Sequence, residues 1–505
     1  MNRFGLKQFF ITSGLALMLT ACGGGGGGGG GSIGIGGTGV TRITTSGTIT
    51  GFGSIFVNGI EFETGSASIT VDDNTAASEN DLSLGMVVTV TGTEDASGST
   101  GSAETVVFDD SIEGPIVGPI TPDADGQTKT FTVLGQTVVV DKNSTVFDDT
   151  SFDTLIPNDV LEVSGFVDTT GIINATRVEK KSVFIPGVST QVELKGTVGN
   201  LNTTARTFTI GTIAIAYTTS TTFEDMTEAE LLDGLFVEVK GAFDGTVVLA
   251  DEIEKEDEGF GSNVNKISIE GLITDFVSNA SFKIQGQAVD ASNATLTPTS
   301  LVLANGVKVQ AEGPIEGGIL KATKVEQRGG DLKFETRVMV VDPATGKVTL
   351  VYPAAPGTGG VQGTVDVFVT SSTLLKDQNQ SGGSFSLGQL LPGDFVEVRA
   401  QTDGSGSIIA SEMERDDEDD RILQGPLDED ATQSVAGSKD GSVMILGIVV
   451  NTSSTEGSSG TDFRDANDNP ITADAFFAAA TTGQLVKVKD EEPGNGVADE
   501  IELEN

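Results

Sequence analysis

An octet of the form Gly-x-apolar-Val-x-Val-x-Gly recurs along this chain and constrains its fold more than any other feature. It reads Gly85-Met86-Val87-Val88-Thr89-Val90-Thr91-Gly92 and Gly234-Leu235-Phe236-Val237-Glu238-Val239-Lys240-Gly241, with variants beginning at Asn158, Gly306, Gly393 and Gly483. In most copies apolar residues alternate with Thr, Glu, Lys or Arg, the period-two pattern of a half-buried strand. A second marker follows each octet: an alanine, two residues, an apolar residue and often a glutamate. Its copies are Ala175–Glu179, Ala250–Glu254, Ala322–Glu326, Ala410–Glu414 and Ala498–Glu502, with Ala103 and Val106 as a degenerate first member. Successive alanines lie roughly 72–88 residues apart, longer than a solenoid repeat and suited to small self-contained domains.

The order of elements within a unit is clearest in the third copy. Leu194–Leu201 and Arg206–Gly211 alternate like two strands across a turn, and Ile213–Phe223 reads as a longer Thr-rich strand. Thr227-Glu228-Ala229-Glu230 is a capping box opening a short helix that Gly234 ends. The octet strand and the Ala250 strand follow. Short helical or turn segments precede the octet elsewhere, at Asp81–Leu84, Phe152–Ile156, Leu387–Leu391 and Ala473–Thr482. Three strands, a short helix and two more strands is the order of an OB-like barrel, whose closure leaves little open edge. A β-sandwich is the alternative. The expected fold class is therefore all-β: tandem small five-stranded OB-like antiparallel barrels with short helical turns. Six units are expected, at 47–110, 111–185, 189–258, 266–331, 332–418 and 421–505.

Residues 1–21 read as a lipoprotein signal peptide. Arg3 and Lys7 precede an apolar run from Phe9 to Leu19, too short and wrongly flanked for a transmembrane helix. Leu19-Thr20-Ala21-Cys22 resembles the lipobox of bacterial lipoproteins, which implies that Cys22 is acylated by palmitate-type chains and becomes the new N-terminus. Several acyl chains anchor far more firmly than one. Residues 22–46 read as that acylated cysteine and a glycine-rich tether, a flexible coil. A phosphate-binding loop is excluded, because no Gly-Lys-Ser/Thr follows. Gly23 after the cysteine is compatible with export to the outer membrane, facing periplasm or cell surface.

Composition narrows the chemistry. The chain holds 29 Lys+Arg against 73 Asp+Glu, a net charge of -44. Such a surface repels phosphate backbones and anionic head groups, so nucleic acid is not an expected partner and the acyl anchor must carry membrane attachment. There is no histidine, which removes histidine general bases, Ser-His-Asp catalysis and ordinary zinc sites. Cys22 is the only cysteine, tryptophan is absent, and tyrosine occurs only as Tyr217 and Tyr352. Phe52 and Phe56 are expected to fill the first core. The acidic stretches Glu252–Glu258 and Asp416–Asp420 read as solvated joints between units.

Lipobox, polyglycine tether and tandem octets ending in Ala-x-x-apolar-Glu together resemble bacterial lipoproteins of the family called domain of unknown function 5666. Gly47-Thr48-Ile49-Thr50-Gly51-Phe52-Gly53-Ser54-Ile55-Phe56-Val57-Asn58-Gly59 is similar to its first strands. The resemblance spans nearly the whole chain after Cys22, weakening in the last two units, and implies fold and location but no activity.

Candidate chemistry is sparse. Paired carboxylates serve glycosidases, but Glu179, Glu254, Glu326, Glu414 and Glu502 recur at one equivalent strand end, which suits a structural role. Asp462, Asp465, Asn467, Asp468 and Asn469 form the best metal candidate, because clustered oxygen ligands suit Ca²⁺. Asp465–Asn469 is similar to the calcium-binding linker of cadherins, although the companion motifs are missing and Asx-rich turns form without metal. The sequence thus points to a non-enzymatic, acidic, membrane-anchored envelope lipoprotein, a structural spacer or an interaction and adhesion scaffold. The alternative is an array of calcium- or glycan-binding modules. No cofactor other than that calcium is expected; the expected partners are the membrane through its lipid, envelope proteins, cations and glycans.

Overall fold

A computed structural model describes residues 41–504, apart from 53, 97, 124–125, 127, 143, 257–259, 261–265, 300, 331, 354–361, 378–384, 404–405, 419, 457–459, 467–468 and 492–493. The signal segment, Cys22 and the glycine run lie outside the described residues. The rest is almost entirely β.

The third barrel shows the common plan. Its opening strand, Thr190–Asn202, pairs antiparallel with the octet strand Phe236–Phe243 from Thr190↔Phe243 to Thr197↔Phe236, then with Thr207–Ile210 beyond Val198. Thr207–Ile210 pairs with Ile213–Ala216, which runs parallel to the closing strand Val247–Lys255. The closing strand returns antiparallel to the octet strand, completing a ring of five. Alternation sends Val237, Val239, Val248 and Ile253 into the interior, where each is fully buried. The expected strand Ile213–Phe223 is two strands. Thr218–Thr221 breaks it with a side-chain-bonded turn, in which the Thr221 hydroxyl also donates to the Ala250 carbonyl at 2.8 Å. The second piece, Thr222–Glu224, lies parallel to the far half of the closing strand.

The same ring closes in the first, second and fifth barrels. In the fourth the closing strand is interrupted between Ile319–Lys321 and Lys324–Gln327. The sixth is looser: single bridges, Leu427↔Ile445 and Asn451↔Val497, stand where the others have ladders, and its helix Ala473–Ala479 is longer than the single turns elsewhere. The capping box is present at Thr227, whose amide donates to Glu230 at 2.8 Å.

Why the octet begins with glycine is now evident. Gly85, Gly234, Gly306, Gly393 and Gly483 all have φ between 81° and 99°, and the variant Asn158 has φ 74°. A left-handed residue turns the chain there so that its amide can bond the opening strand; Gly234 N donates to Val198 O at 2.9 Å and Asn158 N to Ile116 O at 3.0 Å.

The barrels join through their opening strands. In the first five barrels the opening strand is long, 11 to 13 residues, while its next neighbour in the ring is short, so half of one edge is left without a partner from its own barrel. An open edge invites another strand. The first barrel's Ile43–Ser46 runs parallel to Lys266–Ile269 of the fourth. Ile112 and Glu113 of the second pair with Leu194 and Glu193 of the third. Lys333–Glu335 of the fifth pair with Ile422–Gln424 of the sixth. The second and third barrels share one continuous apolar core, as do the fifth and sixth.

These contacts correct several expectations. The barrels form one compact body and not a row of independent beads. The first barrel begins at Thr41, inside the segment read as tether, because Thr41–Ser46 pair with Thr89–Glu94. Glu252–Lys255 belongs to the closing strand of the third barrel and is not a joint. Phe52 and Phe56 stay out of the first core and line a cleft of about 720 Å³ with Phe385 of the fifth barrel.

Candidate cation-binding seam

The fifth residue of the octet sits at the centre of a transverse row in every barrel, flanked by the opening strand on one side and the closing strand on the other. The rows read Ser46–Thr89–Val107, Glu113–Glu162–Glu179, Lys195–Glu238–Glu254, Glu270–Gln310–Glu326, Glu335–Glu397–Glu414 and Gln424–Lys487–Glu502. The recurrent terminal glutamates are thus the outer members of these rows. Because neighbours in the pleat alternate, the row faces away from the barrel interior, and barrel-on-barrel packing then covers part of it.

Buried charge therefore collects at the seams. Most of it is compensated. Lys376 of the fifth barrel, 5% exposed, lies 2.9 Å from Glu412 and 3.0 Å from Glu414. Lys195 is held by Asp109, Glu238 and Glu256, and Lys240 by Asp73, Glu193 and Glu238. In the fifth-barrel row, burial and the flanking Glu335 push Glu397 up to about 8.

One group differs. Asp110 lies in the Asp109-Asp110-Ser111 joint between the first and second barrels, and Glu113 and Glu162 stand opposite each other just beyond it. One carboxylate oxygen from each of the three lies within 4.8 Å of the others. The joint is pinned: Ser111 N donates to Val163 O at 2.8 Å, and Asp110 N to the Asp72 carboxylate at 3.3 Å. Burial, then the charges of Asp72 and Glu162, drives the Asp110 carboxyl well above the usual carboxylate range. Burial likewise raises Glu113, against the opposing pull of Lys181. Chemically the arrangement is a set of hard oxygen donors able to hold a proton or a cation.

The metal candidates read from the sequence lie elsewhere. Asp462 is exposed, 3.6 Å from Lys439. Asp465 turns its carboxylate back onto Asn469, accepting from the backbone amide at 3.0 Å and from Nδ2 at 3.1 Å. That is an Asx-type turn. Asn467 and Asp468 fall outside the described residues, as does Cys22. The seam group escaped the sequence reading, although Asp109-Asp110 beside Glu113 and the octet's Glu162 was a visible signal. Its members become neighbours only through strand pairing.

The sequence profile described as Domain of unknown function (DUF5666) matches five times, at residues 42–104, 117–179, 195–254, 270–326 and 345–414. The chain belongs to that family. The five DUF5666 matches fall on the first five barrels, and the looser sixth lies beyond them. No curated protein matches this chain. Solved structures similar in part include the single-stranded DNA binding protein from Thermus aquaticus, in a deletion mutant (13% identity, 35% of this chain and 92% of that one, TM-score 0.15). Another is Unr CSD456 of Drosophila (13% identity, 46% of this chain and 99% of that one, TM-score 0.12).

Proposed function

We propose that this DUF5666 protein is a non-enzymatic, lipid-anchored lipoprotein of the bacterial outer membrane, serving as an acidic interaction scaffold. The observation that carries this reading is where the repeated signature residues go. The octet glycine makes the turn before its strand, its last residue and the marker alanine meet across a bulge, and the terminal glutamate ends a row shared by the barrels. A motif consumed in building walls supports presentation over turnover, since a reactive centre needs a unique constellation. Pairing of the opening strands favours a compact docking platform over an extended spacer.

The net charge of -44 speaks for cationic or cation-bridged envelope partners and against nucleic acid. The alternative of calcium binding gains support from the seam carboxylates. Glycan binding has weaker support, because the Phe52–Phe385 cleft lacks tryptophan and tyrosine.

Labelling with radioactive palmitate and membrane fractionation test the anchor. Wild type should label and sediment with membranes, and Cys22→Ala should do neither; a Cys22→Ala protein still tightly membrane-bound would overturn it. For the scaffold role, photo-cross-linkers placed at the exposed Val277 and Val435 in intact cells should give discrete envelope-protein adducts that high salt weakens. Absence of adducts from both positions would count against it.

A further inference from the structure

We propose that the seam joining the first and second barrels is a binding site for a calcium-class divalent cation, held by Asp110, Glu113 and Glu162. An acidic cluster alone would not suffice, since exposed carboxylates often gather without any ion. Two further observations set this one apart. Asp110 is only 2% exposed, its carboxylate faces the other two, and its Oδ1 has no hydrogen-bond partner among the described residues. A buried carboxylate oxygen without a donor is among the costliest groups a fold can keep.

Nor do the nearby lysines neutralise it. Lys195 donates to the Asp109 carboxylate and reaches Asp110 only through its main-chain carbonyl, at 2.9 Å. Lys181 pairs with Glu162 at 2.8 Å and Glu179 at 3.3 Å, and makes no ion pair with Asp110 among the described residues. The other acidic triads differ in this respect. Asp109, Glu238 and Glu256 already enclose the Lys195 ammonium, and Glu224, Glu252 and Glu254 include no buried member.

The donor set fixes the chemistry. All three ligands are hard carboxylate oxygens, and no imidazole or thiolate stands among them to prefer a softer metal. Oxygens sharing one Ca²⁺ at about 2.3–2.6 Å can stand up to about 5 Å apart, a span that covers the spacing here. Access exists as well: a cavity of about 700 Å³ lined by Asp109, Asp110, Ser111 and Gly165 opens beside the group. The bound ion would tie the inter-barrel joint to the octet strand of the second barrel, so that envelope calcium rigidifies the body. This inference goes beyond the scaffold reading and stands whether or not Cys22 is acylated.

The test is calorimetric titration of CaCl₂ into the detergent-solubilised, EDTA-stripped full chain in 0.15 M salt, where diffuse surface attraction is screened. Wild type should show one saturable site that Asp465→Asn keeps, Asp110→Asn loses and Glu113→Gln weakens by about tenfold or more. Thermal melts give an independent sign. In EDTA, Asp110→Asn should melt no lower than wild type, because the amide is isosteric and brings no charge into the buried site; calcium should raise the wild-type melting temperature and leave the variant unmoved. If Asp110→Asn does not fold, Glu113→Gln, only partly buried, decides by the same two readouts. No saturable heat in wild type, or binding unchanged in both variants, overturns the proposal. So does loss of the site in Asp465→Asn alone.

Discussion

Gly241 and Ala250 face each other where the octet strand of the third barrel bulges against its closing strand, and the pair explains why the two repeated motifs travel together. A Cβ on Gly241 would overlap the Leu249 carbonyl oxygen and stand 2.9 Å from the Ala250 Cα. Gly92 meets Ala103 and Gly165 meets Ala175 in the same way, and Ala400 meets Ala410 in the fifth barrel. Small residues on both sides let the strands cross closely at the point where the barrel turns its corner.

Gly241→Val should therefore destabilise the protein by about 1–3 kcal/mol, the usual cost of forcing side chain into packed space. Ala400 shows that a single methyl can be taken up at this place, so Gly241→Ala should cost less than the valine. Urea unfolding followed by far-UV circular dichroism measures both; equal stability of the valine variant and wild type would refute the account.

Gly234 tests backbone conformation without packing. Its φ is 92°, and a Cβ there would meet nothing within 4 Å. Gly234→Ala should cost about 1–2 kcal/mol through the left-handed conformation alone. Gly234→Asn should cost less, as Asn158 already serves this position in the second barrel.

Glu397 should make stability fall with rising pH. It lies in register between Glu335 and Glu414, and is buried, with Lys333 opposing and Asp416 adding to the carboxylate field. Its folded value of about 8 lies above the ordinary 4.5, so the folded chain holds the proton more tightly. The resulting stabilisation is complete below about 4.5 and is lost as the pH climbs through 8. Glu414, raised to about 7, acts in the same direction. Melting temperatures recorded from pH 5 to 9 should decline in wild type and decline less in Glu397→Gln; parallel curves would remove Glu397 as the cause.

Phe476 should connect the fifth and sixth barrels energetically. Its ring is fully buried, 5.2 Å from Phe463 and 5.6 Å from Phe477, in the core that also contains Leu332 and Phe334. Phe476→Ala should cost about 3–5 kcal/mol. Hydrogen exchange should quicken in the closing strands of both barrels together, and faster exchange confined to the sixth would show that the shared core does not couple them.

Read alone, the sequence determined what local chemistry can fix. Alternation in Val237–Val239 dictates a half-buried strand, Gly234 and its counterparts dictate a left-handed turn, and Thr227 with Glu230 dictates a capped turn, because each depends on residues a few positions apart. Ring order was legible for the same reason, although the break at Thr218–Thr221 was hidden in a run of Thr and Ser. Only the tertiary structure decided which barrels touch, since opening-strand edges such as Ile43–Ser46 and Lys266–Ile269 find each other across more than two hundred residues. The same packing turned Asp110, Glu113 and Glu162 from apparently solvent-facing residues into a buried seam. An outward-pointing carboxylate is written identically in a sequence whether water or another barrel covers it, and the difference in desolvation is what gives the site its chemistry.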